Sequence, residues 1–160
     1  MPPPPLRPTV LLVEDTEDDA FFFRLCLRKA GLDCDLIHLM DGAAAITYLE
    51  GTAQLKPGGR VSPDLVFLDL KISAFSGFEV LNWIREQSFQ PPLDVAVLSG
   101  SEHAGDMERA FALGATAYIV KPVQRPQLAS RFAAWRQRQE IPTAQSVGGK
   151  SSCAAPERSA

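Results

Sequence analysis

Five short apolar segments alternate with longer segments of mixed polarity along most of this chain. The short segments are rich in aliphatic and β-branched residues, which is typical of strands buried on both faces of a parallel sheet. The longer segments repeat apolar residues at helical spacing. We predict strands at residues 10–13, 35–39, 65–69, 93–99 and 117–120, and helices at residues 16–30, 42–50, 76–86, 102–113 and 124–139. The alternation predicts an α/β fold with a doubly wound, five-stranded parallel sheet.

The flanking segments do not share this pattern. Residues 1–8 are rich in proline and residues 140–160 in serine, alanine and glycine, so we predict that both segments are disordered. Residues 51–63 contain three glycines and two prolines, which predicts a long polar loop before the third strand. One domain remains, at residues 9–139.

Composition argues against several classes of protein. With a net charge of -3, the 160-residue chain lacks the basic excess of a nucleic-acid-binding protein. No apolar stretch approaches the roughly 20 residues of a membrane helix, and the first residues lack the pattern of a signal peptide. The three cysteines have no spacing typical of a metal site or a disulfide framework. We therefore expect a cytoplasmic protein that binds neither nucleic acid nor membrane.

Charged residues stand at the ends of three predicted strands. Glu14 and Asp15 come after the first strand, Asp69 ends the third, and Lys121 follows the fifth. The carboxyl ends of parallel strands lie at one edge of a sheet, where the functional groups of such folds collect. Each of these residues alone is more often a cap or turn residue. Together, three carboxylates and a lysine suit a hard divalent cation and a phosphoryl group.

These strand-end residues resemble the receiver domain of two-component response regulators. The residues that carry the resemblance are, in order, Glu14, Asp15, Asp69, Ser99, Tyr118, Lys121 and Pro122. The resemblance covers residues 9–139 and implies a flavodoxin-like (βα)5 fold. The segments at residues 11–15 and 41–43, with the long loop, are most similar to single-domain regulators that partner phytochrome-type histidine kinases.

The resemblance implies a phosphoacceptor rather than an enzyme with an external substrate. Asp69 is then the carboxylate nucleophile that accepts a phosphoryl group from a histidine kinase as an acyl phosphate. Lys121 pairs with Asp69 before the reaction and with the phosphoryl oxygens after it. Ser99 donates its hydroxyl to those oxygens and moves toward them, while Tyr118 turns inward as the second switch residue.

Mg²⁺ is the expected cofactor. Its ligands are expected to be the carboxylates of Glu14, Asp15 and Asp69 and the backbone carbonyl of Lys71, because this cation prefers oxygen ligands. Ser73 stands where the family usually has a proline, so the turn after Asp69 loses a fixed φ and gains a backbone donor. The Lys71 side chain places a cation near the phosphoryl group, where it is expected to affect the lifetime of the acyl phosphate.

The expected partners are proteins. A regulator without an effector domain signals through protein contacts or passes its phosphoryl group to a histidine phosphotransfer protein. The fifth helix has an apolar stripe at core spacing, and an output surface is still needed, so we expect a homodimer on the face of the fourth helix, fifth strand and fifth helix. The stripe consists of Leu128, Phe132 and Trp135.

The first helix carries three consecutive phenylalanines, which cannot all face one core. On a helical wheel the inner residues are Phe22, Phe23, Cys26 and Leu27, and the outer residues are Phe21 and Leu25. An outward aromatic residue beside a leucine indicates a docking patch, and in receivers this helix faces the kinase. We therefore expect Phe21 and Leu25 to dock the kinase; an isolated exposed apolar residue is the ordinary alternative.

Other functions stay open as alternatives. Haloacid dehalogenase-type phosphatases also use a strand-end aspartate, but they carry a second aspartate two residues later, where Lys71 stands. A flavodoxin-like flavin binder needs a phosphate loop rich in glycine and hydroxyl groups, whereas residues 16–19 are mainly acidic. The main alternative is a receiver-like binding module that acts without phosphorylation.

Overall fold

The computed structural model describes residues 2, 6–53, 62–89 and 91–140. Most of the predicted loop, at residues 54–61, and the predicted tail from residue 141 onward lie outside the described residues. The described residues contain alternating strands and helices: β1 (Thr9–Val13), α1 (Glu17–Lys29), β2 (Asp35–Leu39), α2 (Gly42–Ala53), β3 (Leu65–Asp69), α3 (Gly77–Glu86), β4 (Val95–Ser99), α4 (Ala104–Ala112), β5 (Ala117–Val120) and α5 (Arg125–Glu140).

The strands form one parallel sheet in the order β2-β1-β3-β4-β5. This is the flavodoxin-like order and confirms the predicted fold class. The chain reverses direction across the sheet between β1 and β3. In open α/β sheets, ligands bind outside the carboxyl ends of the strands at such a reversal. The fold thus places Glu14, which follows β1, beside Asp69, which ends β3.

The sheet side chains alternate between two cores. Val10, Leu12 and Phe67 pack on the side of α1 and α5, whereas Leu11 and Val13 pack on the side of α2, α3 and α4. All five side chains are fully buried. Burial on both faces explains why the strands are continuous apolar runs rather than alternating polar and apolar residues.

α2 is longer than predicted. It continues to Ala53 instead of ending at Glu50, so the first three residues of the predicted loop are helical. The Thr52 hydroxyl is buried in the last turn of α2, where it donates a hydrogen bond to the Leu49 carbonyl at 2.7 Å. Side-chain bonding of this kind makes a threonine compatible with a buried helix end.

Two helix starts differ from the sequence prediction in their capping. α4 begins at Ala104 rather than residue 102, because the Nδ1 atom of His103 accepts from the Gly105 N–H at 3.3 Å. Thr16, the first residue of the predicted helix, is the N-cap of α1, but its side chain accepts no helix N–H. Its hydroxyl donates to the Asp15 carboxylate at 3.4 Å instead.

The apolar stripe of α5 belongs to the core. Leu128 and Phe132 are 0% exposed and Trp135 is 4% exposed. The core spacing is confirmed, but these side chains are not available as a surface for a homodimer. In the described parts of the chain, no helix is long and apolar enough to span a membrane.

An ion-pair cluster fixes α5 to the start of β4. Arg131 and Arg138 donate to the two carboxylate oxygens of Asp94 at 2.6 and 2.7 Å. Asp94 is 8% exposed, so its charge is compensated within the protein. The strand predicted at residues 93–99 begins at Val95, so Asp94 precedes β4 instead of belonging to it.

Candidate functional site

Three carboxylates and one ammonium group meet at the carboxyl edge of the sheet. Glu14 follows β1, Asp69 ends β3, and Asp19 lies in the first turn of α1. The Lys121 ammonium donates to Glu14 Oε2 at 2.6 Å, to Asp69 Oδ2 at 2.7 Å and to Asp19 Oδ2 at 2.8 Å. One carboxylate oxygen from each acid lies within 4.8 Å of the others. We call Glu14, Asp19 and Asp69 the acidic cluster.

Glu14 is held from several directions. It is 1% exposed, and its carboxylate accepts from the Thr16 N–H at 3.1 Å as well as from Lys121. Its own N–H donates to the Leu39 carbonyl at 3.0 Å, and its carbonyl lies 2.7 Å from the His38 ring. Burial raises the pKa of the Glu14 carboxyl to about 6, against the opposing bonds from Lys121 and Thr16. A carboxyl with a raised pKa in such a cluster indicates a functional site.

Asp69 is fixed in a tight turn between β3 and α3. Its Oδ1 accepts from the Lys71 N–H at 3.0 Å, while its Oδ2 faces Lys121. Gly77 packs directly on this turn, where an added Cβ would lie 2.4 Å from the Asp69 carbonyl oxygen. Only glycine fits this approach without a shift of the backbone. The nucleophile predicted from the sequence is therefore held in place by the loop on one side and by the lysine on the other.

Lys121 remains a cation at this site. Burial alone would lower the pKa of Lys121, but the hydrogen bonds to Asp19, Asp69 and Glu14 outweigh burial and raise it. In the sequence Asp19 stands out only as one of the acidic residues at positions 17–19, which lie in the first turn of α1 and favour the helix dipole. The available signal was spacing: Asp19 comes four residues after Asp15, about one helical turn further on.

Asp15 is not part of the acidic cluster. Its carboxylate accepts from the Thr16 hydroxyl at 3.4 Å and from the Ser73 hydroxyl at 3.3 Å. Ser73 is the residue that replaces the usual proline, so this departure supplies a donor to an acid that we predicted as a metal ligand. The Ser73 carbonyl also accepts from the Gly42 N–H at 3.2 Å, which connects the loop after β3 to α2.

Ser99 and Tyr118 are connected through one short loop. Ser99 ends β4 and is 2% exposed, and its hydroxyl oxygen accepts from the Ser101 N–H at 3.1 Å. Its carbonyl accepts from the backbone N–H of Lys121 at 2.8 Å. The hydroxyl of Tyr118 donates to the Ser101 carbonyl at 2.9 Å. Ser99 and Tyr118 thus bond to the same residue, one through its N–H and the other through its carbonyl.

Residues 10–133 match the family described as the response regulator receiver domain. The chain belongs to this family. The receiver is 33% identical over 117 residues to the "Probable methanogenesis regulatory protein FilR2" of Methanothrix harundinacea, which covers 71% of this chain and 72% of FilR2. It is 31% identical over 112 residues to response regulator Rcp1 of Synechocystis sp., with 70% and 75% of the two chains covered.

Solved structures agree with this assignment. The receiver superposes on the bacteriophytochrome response regulator RtBRR with a TM-score of 0.69 and 30% identity, over 81% of this chain and 78% of that chain. It superposes on the Mn²⁺-bound form of Rcp1 with a TM-score of 0.65 and 27% identity, over 85% and 97% of the two chains. The likeness to phytochrome-associated regulators seen in the sequence is thereby confirmed.

The receiver has a donor set that fits a hard divalent cation. The acidic cluster supplies carboxylate oxygens from three residues, and oxygen ligands are what Mg²⁺ and Mn²⁺ prefer. One ammonium group faces these three acids, so the site carries excess negative charge once Glu14 is ionised. A divalent cation would offset this charge. The receiver is thus able to hold a metal at its carboxyl edge.

The exposed aromatic surface of α1 differs from the prediction. Phe21 is 54% exposed, as expected, but Phe22 is 62% exposed rather than on the inner face. Phe23 alone of the three enters the core, where its ring meets Phe67 edge-on at 4.9 Å. Leu25 is only partly exposed. Phe22 and Leu25 line a groove of about 690 Å³ between α1 and the residues after β5. Glu14 and Asp19 of the acidic cluster line the same groove.

Proposed function

We propose that this protein is a single-domain response regulator that accepts a phosphoryl group from a histidine kinase onto Asp69. The observation that carries the proposal is the Asp69 carboxylate, which is buried at the end of β3 and bonded to Lys121 at 2.7 Å. Glu14 and Asp19 share the same lysine. The carboxylate thus lies beside a fixed cation and beside acids able to hold a metal.

The proposed reaction transfers a phosphoryl group between two side chains. An Asp69 carboxylate oxygen attacks the phosphorus of the kinase phosphohistidine and forms a P–O bond. The P–N bond breaks, and the imidazole nitrogen keeps its electron pair and takes a proton from solvent. Lys121 pairs first with Asp69 and then with the phosphoryl oxygens, while Ser99 donates its hydroxyl to them. Attack of water on the acyl phosphate later restores the carboxylate.

Mg²⁺ is the proposed cofactor, held by the Glu14 and Asp69 carboxylates of the acidic cluster, by the neighbouring Asp15 carboxylate and by the Lys71 carbonyl. Asp19, the third acid of the cluster, orients Lys121 beside them. When bound, it neutralises negative charge on the carboxylates and on the transferring phosphoryl group. The Asp15 carboxylate is held by the Ser73 hydroxyl. The Asp69 carboxylate accepts from the backbone N–H of Lys71. The loop after β3 thus contacts two of the proposed ligands, Asp15 and Asp69.

We propose that output runs through Ser99, Ser101 and Tyr118 to the face formed by α4, β5 and α5. The domain spans residues 9–139 and works in the cytoplasm. Its partners are a histidine kinase, with the phytochrome type favoured by the likeness to RtBRR and Rcp1, and either a second copy or a histidine phosphotransfer protein.

The test is phosphorylation of the full chain by acetyl phosphate with Mg²⁺, followed by intact mass. Wild-type protein should gain one phosphoryl group, and the gain should disappear with a metal chelator. Asp69→Asn should gain none, because a carboxamide is a poor nucleophile. Asp64→Asn is the matched control: Asp64 adjoins the other end of β3 and accepts from the Thr9 N–H, so its variant should be labelled like wild type.

Two results would contradict the proposal. Labelling of Asp69→Asn at the wild-type level would place the phosphoryl group on another residue. A wild-type chain that takes up no phosphoryl group from acetyl phosphate or from any phytochrome-type kinase would favour the alternative, a binding module that acts without phosphorylation.

A further inference from the structure

His38 connects α1 to the end of β1 through both nitrogens of its ring. It lies on β2, where its Nε2 is 2.7 Å from the carbonyl oxygen of Glu14. Its Nδ1 is 3.1 Å from a guanidinium nitrogen of Arg24 on α1. The phosphotransfer chemistry proposed above makes no use of either residue.

The two partners determine which nitrogen of His38 carries the hydrogen. A backbone carbonyl can only accept, so the hydrogen on this side must belong to Nε2. A guanidinium can only donate, so Nδ1 must present its lone pair to Arg24. His38 is therefore in its Nε2–H form, as a donor toward β1 and an acceptor toward α1.

The bond to Glu14 lies at the point where strand pairing stops. The pairing of β1 with β2 ends at Val13 and Leu39, and the Glu14 N–H makes the last backbone bond, to the Leu39 carbonyl at 3.0 Å. The next carbonyl, that of Glu14, is held by the His38 ring. This carbonyl belongs to the peptide that joins Glu14 to Asp15, so a rotation of that peptide would displace both side chains.

We propose that His38 is a positioning residue, which holds the Glu14–Asp15 peptide so that the two acids are oriented for the divalent cation. Arg24 supports it by fixing the ring. The inference rests on the proposed phosphoacceptor function and adds a residue to its site. Removal of the outer partners of metal ligands typically costs 10–100-fold in affinity. Because His38 acts through the backbone, we expect the lower end of this range.

The first experiment is a calorimetric Mg²⁺ titration of the full chain. His38→Ala should raise the dissociation constant about tenfold, with a parallel slowing of phosphorylation by acetyl phosphate. His38→Gln should recover most of the affinity, because its side-chain amide can donate to one partner and accept from the other. Arg24→Ala should weaken binding less than His38→Ala. The matched control is Arg28→Ala, one helical turn further along α1 and exposed, which should bind like wild type.

The second experiment does not need metal. Nitrogen-15 spectra of the wild-type imidazole should show the hydrogen of His38 on Nε2, and Arg24→Ala should shift the Nδ1 resonance. Exchange of the Asp15 amide hydrogen should be faster in His38→Ala than in wild type, because that amide belongs to the peptide that His38 holds. If His38→Ala fails to fold, the test rests on the wild-type nitrogen-15 spectra and on the Mg²⁺ affinity and spectra of Arg24→Ala.

The outcomes separate this inference from the proposed function. Wild-type Mg²⁺ affinity in His38→Ala, or a hydrogen on Nδ1 of the wild-type ring, would overturn the role of His38 and leave phosphorylation of Asp69 intact. Absence of both Mg²⁺ binding and phosphorylation in the wild-type chain would overturn the proposed function, and the role of His38 with it.

Discussion

Lys121 donates to Asp19 at 2.8 Å and so connects the end of β5 to the first turn of α1. The Asp19 side chain is 43% exposed and that of Lys121 is 19% exposed. Pairs with such exposure contribute little to stability, about 0–1 kcal/mol. The contact is better understood as orienting the ammonium group that Asp69 and Glu14 share. It also joins the proposed phosphoacceptor site to the helix that carries the exposed phenylalanines.

Asp19→Asn is expected to slow phosphorylation by acetyl phosphate by about tenfold, in the range found when partners of metal ligands are removed. The change takes one negative charge from the acidic cluster and one charged acceptor from Lys121. The unfolding free energy should change by less than about 1 kcal/mol. Asp18→Asn, an exposed neighbour with the same change of charge, is the control. Equal rates for the two variants would remove Asp19 from the site.

Asp15→Asn is expected to weaken Mg²⁺ binding strongly, because the hard cation loses a negatively charged ligand. Glu14→Gln should weaken it less, since by family resemblance Glu14 acts partly through water. The measurement is a calorimetric Mg²⁺ titration of both variants beside wild type. The reverse order of affinities would require the roles of the two acids to be exchanged.

The raised pKa of Glu14 predicts a pH dependence of stability. The folded protein holds the Glu14 proton up to about pH 6, whereas an unfolded chain releases it near 4.5. Between these values the folded state binds more protons, so the contribution of Glu14 makes the protein less stable as the pH rises. The effect is on the order of 2 kcal/mol, from about 1.4 kcal/mol per pKa unit.

Urea unfolding of wild type and Glu14→Gln at pH 4.5 and 6.5 isolates this contribution. The glutamine variant cannot titrate at this position, while other carboxyls titrate in both proteins. The unfolding free energy of wild type should therefore fall relative to the variant as the pH rises. A constant difference between the two proteins would mean that burial of Glu14 does not disfavour its charge.

The sequence was most informative where one local pattern decides the structure. β3 was predicted at its observed bounds because its run is apolar until Asp69. α3 was predicted from residue 76 and begins at Gly77, because Ser76 and Glu79 form a capping box with Ser76 as the N-cap. Phe22 was assigned to the wrong face of α1. Successive helical residues are rotated by about 100°, so the apolar pattern does not determine whether Phe22 lies on the buried face or just outside it. The packing of Phe23 on Phe67 determines which face of α1 is buried.

Contacts between distant segments were not predictable in this way. The bonds of Lys121 to Asp19 and of His38 to Glu14 each join segments that are far apart in the chain. Strand order brings these segments together, and the residue types alone do not specify which side chains meet. The position of Lys121 at a strand end predicted its contact with Asp69, because both belong to the same edge of the sheet.

A homodimer is expected on the face formed by α4, β5 and α5. The buried stripe of α5 cannot form it, but Phe111 on α4 is 47% exposed. α4 carries acidic residues, while the exposed end of α5 carries arginines, and opposite charges suit the pairing of two identical faces. Light scattering should show a doubled mass after phosphorylation. Phe111→Ser should reduce it, and Phe21→Ser, on α1, should not; a monomer in both states would contradict the prediction.

Phe21 is expected to dock the kinase, together with Phe22, which the structure adds to the predicted patch. The two rings meet edge-on at 5.9 Å and are both more than half exposed. Leu25, the other predicted contact, lines the adjoining groove, which Glu14, Asp19 and Lys121 also line. A helix of the kinase seated on this surface would place its phosphohistidine near the phosphoacceptor.

Phe21→Ala should separate docking from folding. Truncation of an exposed side chain leaves little cavity, so the unfolding free energy should change by only about 0.5 kcal/mol. The variant should accept phosphate from acetyl phosphate at the wild-type rate, yet react slowly with a histidine kinase that phosphorylates wild type. Phe23→Ala is the control: its side chain is 2% exposed, so it should lose roughly 3–5 kcal/mol and both activities together. If Phe21→Ala reacts with the kinase like wild type, or unfolds like Phe23→Ala, the aromatic patch does not serve as a docking surface.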